Sequence, residues 1–192
     1  MGDINQKIYL KRFVPDISGA ILEVGSKDYG NTSSFKDYYK ENEYVGIDME
    51  EGPGVDSVLD LTLGTGDLNE GHFSLCICCS VLEHVRKPWV MAENITRLIR
   101  GSGKLYMSIP WVWRYHPYPD DYYRFSWKGV IELFPDFDWD HVFYSTNVAN
   151  EFFEITEDSY EIDNKQAIKK RTLRGKRKYL PYLMVNMLGT KR

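Results

Sequence analysis

An apolar run, Ala20-Ile-Leu-Glu-Val24, breaks at Gly25, and a second, Tyr44-Val-Gly-Ile47, stops at Asp48. The first reads as a buried strand entering a loop. Asn31 to Ser34 can cap a helix, and residues 33–40 offer Phe35, Tyr38 and Tyr39 as its inward face. Strand, glycine turn, helix, strand and a carboxylate about 20 residues on is how a doubly wound α/β domain grips a nucleoside, the acid accepting hydrogen bonds from ribose hydroxyls.

A dinucleotide needs its pyrophosphate against a helix N-terminus, and G-x-G-x-x-G is the usual means. Here that pattern is absent. Ser26, Lys27, Asp28 and Tyr29 separate Gly25 from Gly30, which puts bulk and an acid where a phosphate would lie. S-adenosylmethionine has no phosphate; its adenosine, sulfonium and amino-acid end suit carboxylates and a few exposed backbone groups. Glu23-x-Gly25, Asp48, Asp60-Leu61 and Ser80-Val-Leu-Glu-His-Val85, in that order within residues 20–125, resemble a class I S-adenosylmethionine-dependent methyltransferase of the type 11 group.

The resemblance implies a Rossmann-like, doubly wound α/β fold: a mostly parallel seven-stranded sheet, order 3-2-1-4-5-7-6, with an antiparallel C-terminal strand. It implies S-adenosyl-L-methionine as cofactor, above strands one, two and four. Glu23 would orient the glycine loop near the cofactor's amino group, and Gly25 with Ser26 would let it approach the backbone. Asp48, followed by Met49, would take the ribose, although a turn acid after a strand reads the same way locally. Asp60 and the Leu61 N–H would take adenine; the bland alternative is a solvent-facing acid before Gly64-Thr-Gly66. Ser80 joins the cofactor set from the loop above strand four. Lys27 and Tyr29 depart from the pattern, standing where many members have glycine.

The remaining elements follow from apolar patterning. Residues 3–14 place Ile4, Ile8, Tyr9 and Phe13 at helical spacing before Pro15, a leading helix that packs on the sheet or covers the pocket. Strand three spans residues 55–59, after a crossover too short for a helix. Strand four spans 73–79, a helix follows Pro88 to Arg100, and Gly101-Ser-Gly103 precedes strand five at 104–109. Ser126 can cap a helix to Phe134. Strand six spans 137–144, and the last strand 182–188.

At 192 residues the chain suits a single domain, 1–192, with residues 1–18 as the helical cover. A net charge of −4 argues against a general nucleic-acid binder. No apolar N-terminal run follows a basic stretch and no segment is long enough to cross a bilayer, so a soluble, cytoplasmic protein is expected. Cys76, Cys78 and Cys79 share one apolar run and cannot by themselves close around a metal, so they read as buried thiols and no metal site is expected.

Acceptor choice should lie in residues 110–126, Pro110-Trp-Val-Trp-Arg-Tyr-His-Pro-Tyr-Pro-Asp-Asp-Tyr-Tyr-Arg-Phe-Ser126, where prolines prevent regular structure and the rings are too many to bury. This lid starts at the strand-five edge of the crevice. Trp111, Trp113, Tyr122 and Arg124 are the candidate acceptor-binding residues, with Arg124 also suited to pair Asp120 or Asp121. His116 is the candidate base, with Asp120 and Asp121 beside it. His84 reads first as a loop-holding residue and second as a base. A small-molecule or glycan acceptor, methylated at oxygen, fits such a lid. The excursion 145–180 carries Lys165, Lys169, Lys170, Arg171, Arg174, Lys176, Arg177 and Lys178 without an intervening acid. It is a solvated basic face or a docking field for an anionic acceptor such as a phosphorylated sugar, a lipid-linked glycan or RNA. Outside the enzyme class, a non-catalytic cofactor- or partner-binding module is the alternative, and the altered glycine loop favours it.

Overall fold

A computed structural model describes residues 3–30, 35–156 and 182–192. The strands are β1 Ala20–Val24, β2 Tyr44–Asp48, β3 Ser57–Val58, β4 Phe73–Cys79, β5 Ile99–Val112, β6 Phe137–Ser145, β7 Phe152–Glu154 and β8 Leu183–Lys191. They form one sheet in the order β3-β2-β1-β4-β5-β8-β6-β7. The pairs from β3 through β5 are parallel, whereas β8 runs antiparallel to β5 and β6, and β7 to β6. The α/β architecture is as expected. The strand taken as the seventh is β8, because a short extra strand, β7, closes the far edge.

Alternation along the central strands gives each face of the sheet its own core. Leu22, Val24, Cys76 and Cys78 point to the face covered by α2 (Pro88–Leu98) and α3 (Trp127–Leu133), where Met91, Ala92, Ile95, Leu98 and Val130 meet them. Ile21, Leu75 and Ile77 point the other way, under Tyr9 and Leu10 of α1 (Asp3–Phe13) and under Phe35 and Tyr39. Cys76 and Cys78 are buried free thiols whose pKa burial pushes upward, so neither is available as a nucleophile or ligand.

Three local elements differ from expectation. The helix read over 33–40 is a single 3-10 turn, Lys36–Tyr39, and residues 31–34, the expected cap, lie outside the described residues. β3 has two residues rather than five, and β5 begins at Ile99, passing through the glycines expected to precede it. By contrast α3 starts where Ser126 was expected to cap it, its Oγ accepting from Gly129 N at 3.1 Å.

The β2–β3 crossover lacks a helix and instead packs against the loop after β1. Asp28 N donates to Pro53 O at 2.8 Å and Gly46 N to Asp56 Oδ2 at 2.8 Å. A Cβ on Gly46 would lie 2.3 Å from Gly54 O, so the approach requires glycine. The N-terminal helix is clamped as well: Asn5 Nδ2 donates to the carbonyls of Thr146 (2.6 Å) and Val148 (2.8 Å). Among the described residues no helix is long and apolar enough to cross a membrane.

Candidate cofactor and acceptor site

The C-terminal ends of β1, β2, β4 and β5 open onto a cavity of about 770 Å³, roofed by residues of the 110–126 segment. This edge is where a doubly wound sheet leaves a crevice, because the strand order reverses between β1 and β4. Glu23, Gly25, Asp48, Met49, Leu61 and Ser80 all lie in its wall.

Gly25 sits at φ +76°, and a Cβ there would lie 2.4 Å from Val81 Cγ2, so both conformation and space call for glycine. Its N–H and that of Ser26 donate to Ile47 O at 2.9 and 3.1 Å, binding the loop to β2. Asp48 continues the seam, with Oδ2 accepting from Lys27 N and Oδ1 from Glu50 N, each at 3.2 Å. Ser80 adopts φ +55°, unusual for a residue with a side chain, and turns the chain from β4 into the next loop.

Glu23 is buried at the end of β1, where its Oε2 accepts from the Tyr44 hydroxyl at 2.6 Å. Burial raises its pKa to about 7, and the Tyr44 hydrogen bond opposes that rise. Glu23, Asp48, Glu50 and Glu83 make the wall acidic, and Lys27 spends its charge on Glu50 at 2.6 Å. Such a wall suits a cationic ligand and repels a phosphate. Lys27 and Tyr29 form the rim: Lys27 Nζ stands 5.1 Å from the centroid of the Tyr29 ring, which meets Tyr118 of the lid edge-on at 5.5 Å. They narrow the mouth without filling the cavity.

Other expected residues stand outside the wall. Ser26 Oγ is buried against Gly46 rather than turned to the cavity. The Asp60 carboxylate accepts from Thr62 N at 2.8 Å, which makes a turn of it. Asp120 accepts from the Tyr122 hydroxyl at 2.7 Å on the outside of the lid, and Trp111 packs on the core.

Asp121 and Arg124 form the lid's internal lock. Arg124 Nη2 reaches Asp121 Oδ2 at 2.7 Å and the Arg114 carbonyl at 3.0 Å, while Nη1 bonds the second carboxylate oxygen. The guanidinium holds the Asp121 carboxyl well below the usual carboxylate range. Both residues are thereby committed to structure, since a carboxylate so stabilised is a poor base.

Asp121 in turn positions His116. Its Oδ2 accepts from His116 N at 2.8 Å and lies 3.1 Å from His116 Nδ1, which also faces the Arg114 carbonyl at 3.1 Å. His84 Nδ1 meets the Asp120 carbonyl at 2.6 Å. These partners place a proton on Nδ1 in both rings, so Nε2 is the atom that gains or loses the second proton. Each points at one carboxylate: Glu83 Oε1 is 3.7 Å from His84 Nε2 and 3.8 Å from His116 Nε2. Glu83 is 0% exposed and neither of its carboxylate oxygens has a hydrogen-bond partner. Its proximity, more than anything else, raises the His116 pKa against the opposing effect of burial.

Local sequence placed Glu83 with His84 in the loop above strand four, near the transferable methyl, and gave roles to His84 and His116 but none to Glu83. Gln6 of α1 was also missed. It is buried, lines the cavity and donates to Ser108 Oγ at 3.1 Å, so α1 both packs on the sheet and closes one wall.

No protein-family model matches the sequence, and no curated protein matches it either. Solved structures do. A SAM-dependent methyltransferase from Archaeoglobus fulgidus superposes with a TM-score of 0.59 at 13% identity, over 97% of this chain and 93% of that one. Haemonchus contortus phosphoethanolamine N-methyltransferase 2, solved with phosphomonomethylethanolamine and S-adenosylhomocysteine, gives 0.61 at 14%, over 97% of this chain and 53% of that one. Burkholderia thailandensis 1,6-didemethyltoxoflavin-N1-methyltransferase, with 1,6-didemethyltoxoflavin and S-adenosylhomocysteine, gives 0.59 at 14%, over 96% and 75%. The chain has the fold of the class I S-adenosylmethionine-dependent methyltransferases. At such identities the likeness establishes the fold and leaves activity to be argued from the site.

Proposed function

We propose that the chain is an S-adenosylmethionine-dependent methyltransferase of the type 11 group that acts on a small-molecule or glycan acceptor at oxygen. The observation that carries this reading is one cavity with two chemically different ends. Glu23, Gly25 and Asp48 lie at one end, and His84, His116 and the buried Glu83 between them at the other. The acidic wall fits the cofactor's cationic sulfonium and ammonium, and about 770 Å³ falls within the ~300–1,000 Å³ usual for small-molecule sites.

S-adenosylmethionine bound here would supply an electrophilic methyl group. Asp48 keeps lone pairs free for ribose hydroxyls, and Glu23 faces the amino-acid end. Leu61, in the cavity wall, remains the proposed partner of adenine; Asp60, outside the wall and bonded to Thr62 N, would reach adenine only through its second carboxylate oxygen. His116 Nε2 takes the acceptor's hydroxyl proton, and Glu83 stabilises the imidazolium that results. Asp121 keeps the ring in the required tautomer. Trp113, in the wall and edge-on to Tyr182 at 4.5 Å, offers a flat surface to an acceptor.

The small-molecule acceptors of the Haemonchus and Burkholderia enzymes support a small acceptor here. RNA as acceptor would draw on the basic cluster Lys165–Lys178, which lies outside the described residues. The non-catalytic alternative leaned on Lys27 and Tyr29 closing the pocket, whereas both sit on the rim of an open cavity. The test is methyl transfer from labelled cofactor to panels of hydroxylated small molecules, glycans and RNA. Label on a small hydroxylated acceptor or glycan, lost in His116→Ala, supports the proposal. Label on RNA alone, or on no acceptor, contradicts it.

A further inference from the structure

We propose that Glu83, His84 and His116 form a binding site for one divalent transition-metal ion of the zinc and cobalt class, at the acceptor end of the cavity. The inference deepens the reading above and rests on it for the metal's use, though not for its binding. One ligand atom from each residue, Glu83 carboxylate oxygen and two imidazole nitrogens, falls within 4.8 Å of the others.

Three further facts point to a cation rather than to packing. First, Glu83 is wholly buried with no hydrogen bond to either carboxylate oxygen and only the two imidazoles, at 3.7 and 3.8 Å, beside it, an arrangement that costs several kcal/mol unless a positive charge compensates it. Tyr122 N and Tyr123 N, which approach Glu83, donate to its backbone carbonyl at 2.7 and 3.2 Å and leave the carboxylate bare. Second, both Nδ1 atoms are occupied, His84 by a carbonyl and His116 by a carbonyl and the Asp121 carboxylate. Metal-bound histidines are oriented in this way, the outer N–H engaged and the inner lone pair aimed at the ion. Third, the spacing is close to that required. Ligands about 2.0–2.2 Å from a tetrahedral ion lie about 3.4 Å apart; the two distances to Glu83, 3.7 and 3.8 Å, are a few tenths of an ångström longer, and the two imidazole nitrogens, within 4.8 Å of each other, would have to close further.

Two imidazoles and a carboxylate favour a borderline ion over magnesium or calcium, which prefer all-oxygen shells. Three protein ligands leave coordination open towards the cavity for a water or the acceptor's oxygen. With the ion bound, His116 Nε2 would be a ligand and no longer the base: the ion would take over that role by acidifying an acceptor hydroxyl at the open position, whose proton would pass to solvent and whose freed lone pair would bond the methyl carbon as the C–S electrons return to sulfur.

The experiment uses the full chain, stripped with chelator and titrated with Co²⁺ while visible ligand-field bands are recorded, followed by displacement with Zn²⁺. The expected result is one Co²⁺ per chain, displaced by one Zn²⁺, with affinity lowered about 100-fold or more in Glu83→Gln and in His116→Asn. Glu83→Gln preserves shape, so a thermal midpoint no lower than wild type shows that its loss of metal is chemical. Absence of saturable binding, or equal affinity in both variants, overturns the site. Cofactor is titrated into the same samples. Cofactor binding without metal binding overturns this inference alone, and metal binding without cofactor binding overturns the functional reading alone.

Discussion

Glu23, near the cavity end of β1, accepts a 2.6 Å hydrogen bond from the hydroxyl of Tyr44, the first residue of the adjacent parallel strand β2, and that contact only partly offsets the burial that lifts the Glu23 pKa to about 7. The cofactor's ammonium pairs with the ionised form, so cofactor affinity should rise with pH across about 6 to 8. In Glu23→Gln the affinity should be weaker, by about 10-fold or more, and flat over that range. Calorimetric titration at several pH values measures both.

The same group makes a prediction for the cofactor-free protein. The folded-state pKa lies above the ordinary glutamate value of 4.5, so the folded chain holds a proton that the unfolded chain releases. The stability this contributes is complete below about pH 4.5 and is lost as pH rises through about 7. Thermal denaturation from pH 5 to 7 should therefore show a shallower decline in Glu23→Gln than in the wild type.

Gly25→Ala tests the glycine loop. The methyl group would strike Val81 Cγ2 and impose strain at φ +76°, a combined cost of roughly 1–3 kcal/mol. Cofactor binding should fall with stability. Val81→Ala in the same chain should restore part of the loss by removing the collision while the backbone strain persists.

Arg124→Ala tests the lid. The Asp121 side chain is 1% exposed and Arg124 is 26% exposed, so removing the guanidinium strands a nearly buried carboxylate. The expected cost is roughly 1.5–3 kcal/mol, that of hydrogen bonds to a charged group, confined to residues 113–124. Hydrogen exchange should show protection lost there and kept in the strands, and cofactor affinity should stay within about threefold, because the cofactor end is built from β1 and β2.

Strands ending in polar residues were legible because burial writes itself into consecutive apolar positions; Glu23 and Asp48 stand out against such runs. The helix after the glycine loop was not, since eight residues are too few for a helix to hold itself, and packing of Phe35 and Tyr39 is satisfied by one 3-10 turn. β7 has three residues, below the length at which alternation can be recognised. In the lid, composition announced a polar and aromatic site but not which acid would serve it. Asp121 pairs Arg124 and orients His116, whereas Glu83, forty residues from Tyr123 in sequence, supplies the buried charge. Such burial is set by tertiary packing and leaves no local pattern.

Every role assigned to the site depends on the cavity above β1 and β2 holding the cofactor. Calorimetric titration of the purified chain with S-adenosylmethionine and S-adenosylhomocysteine, beside Asp48→Ala, is the direct measurement. Saturable binding of both in the wild type is predicted. Asp48→Ala should weaken it about 10- to 100-fold, from the ~1.5–3 kcal/mol of hydrogen bonds to a charged group. Binding of neither compound, or binding that Asp48→Ala leaves unchanged, would contradict it.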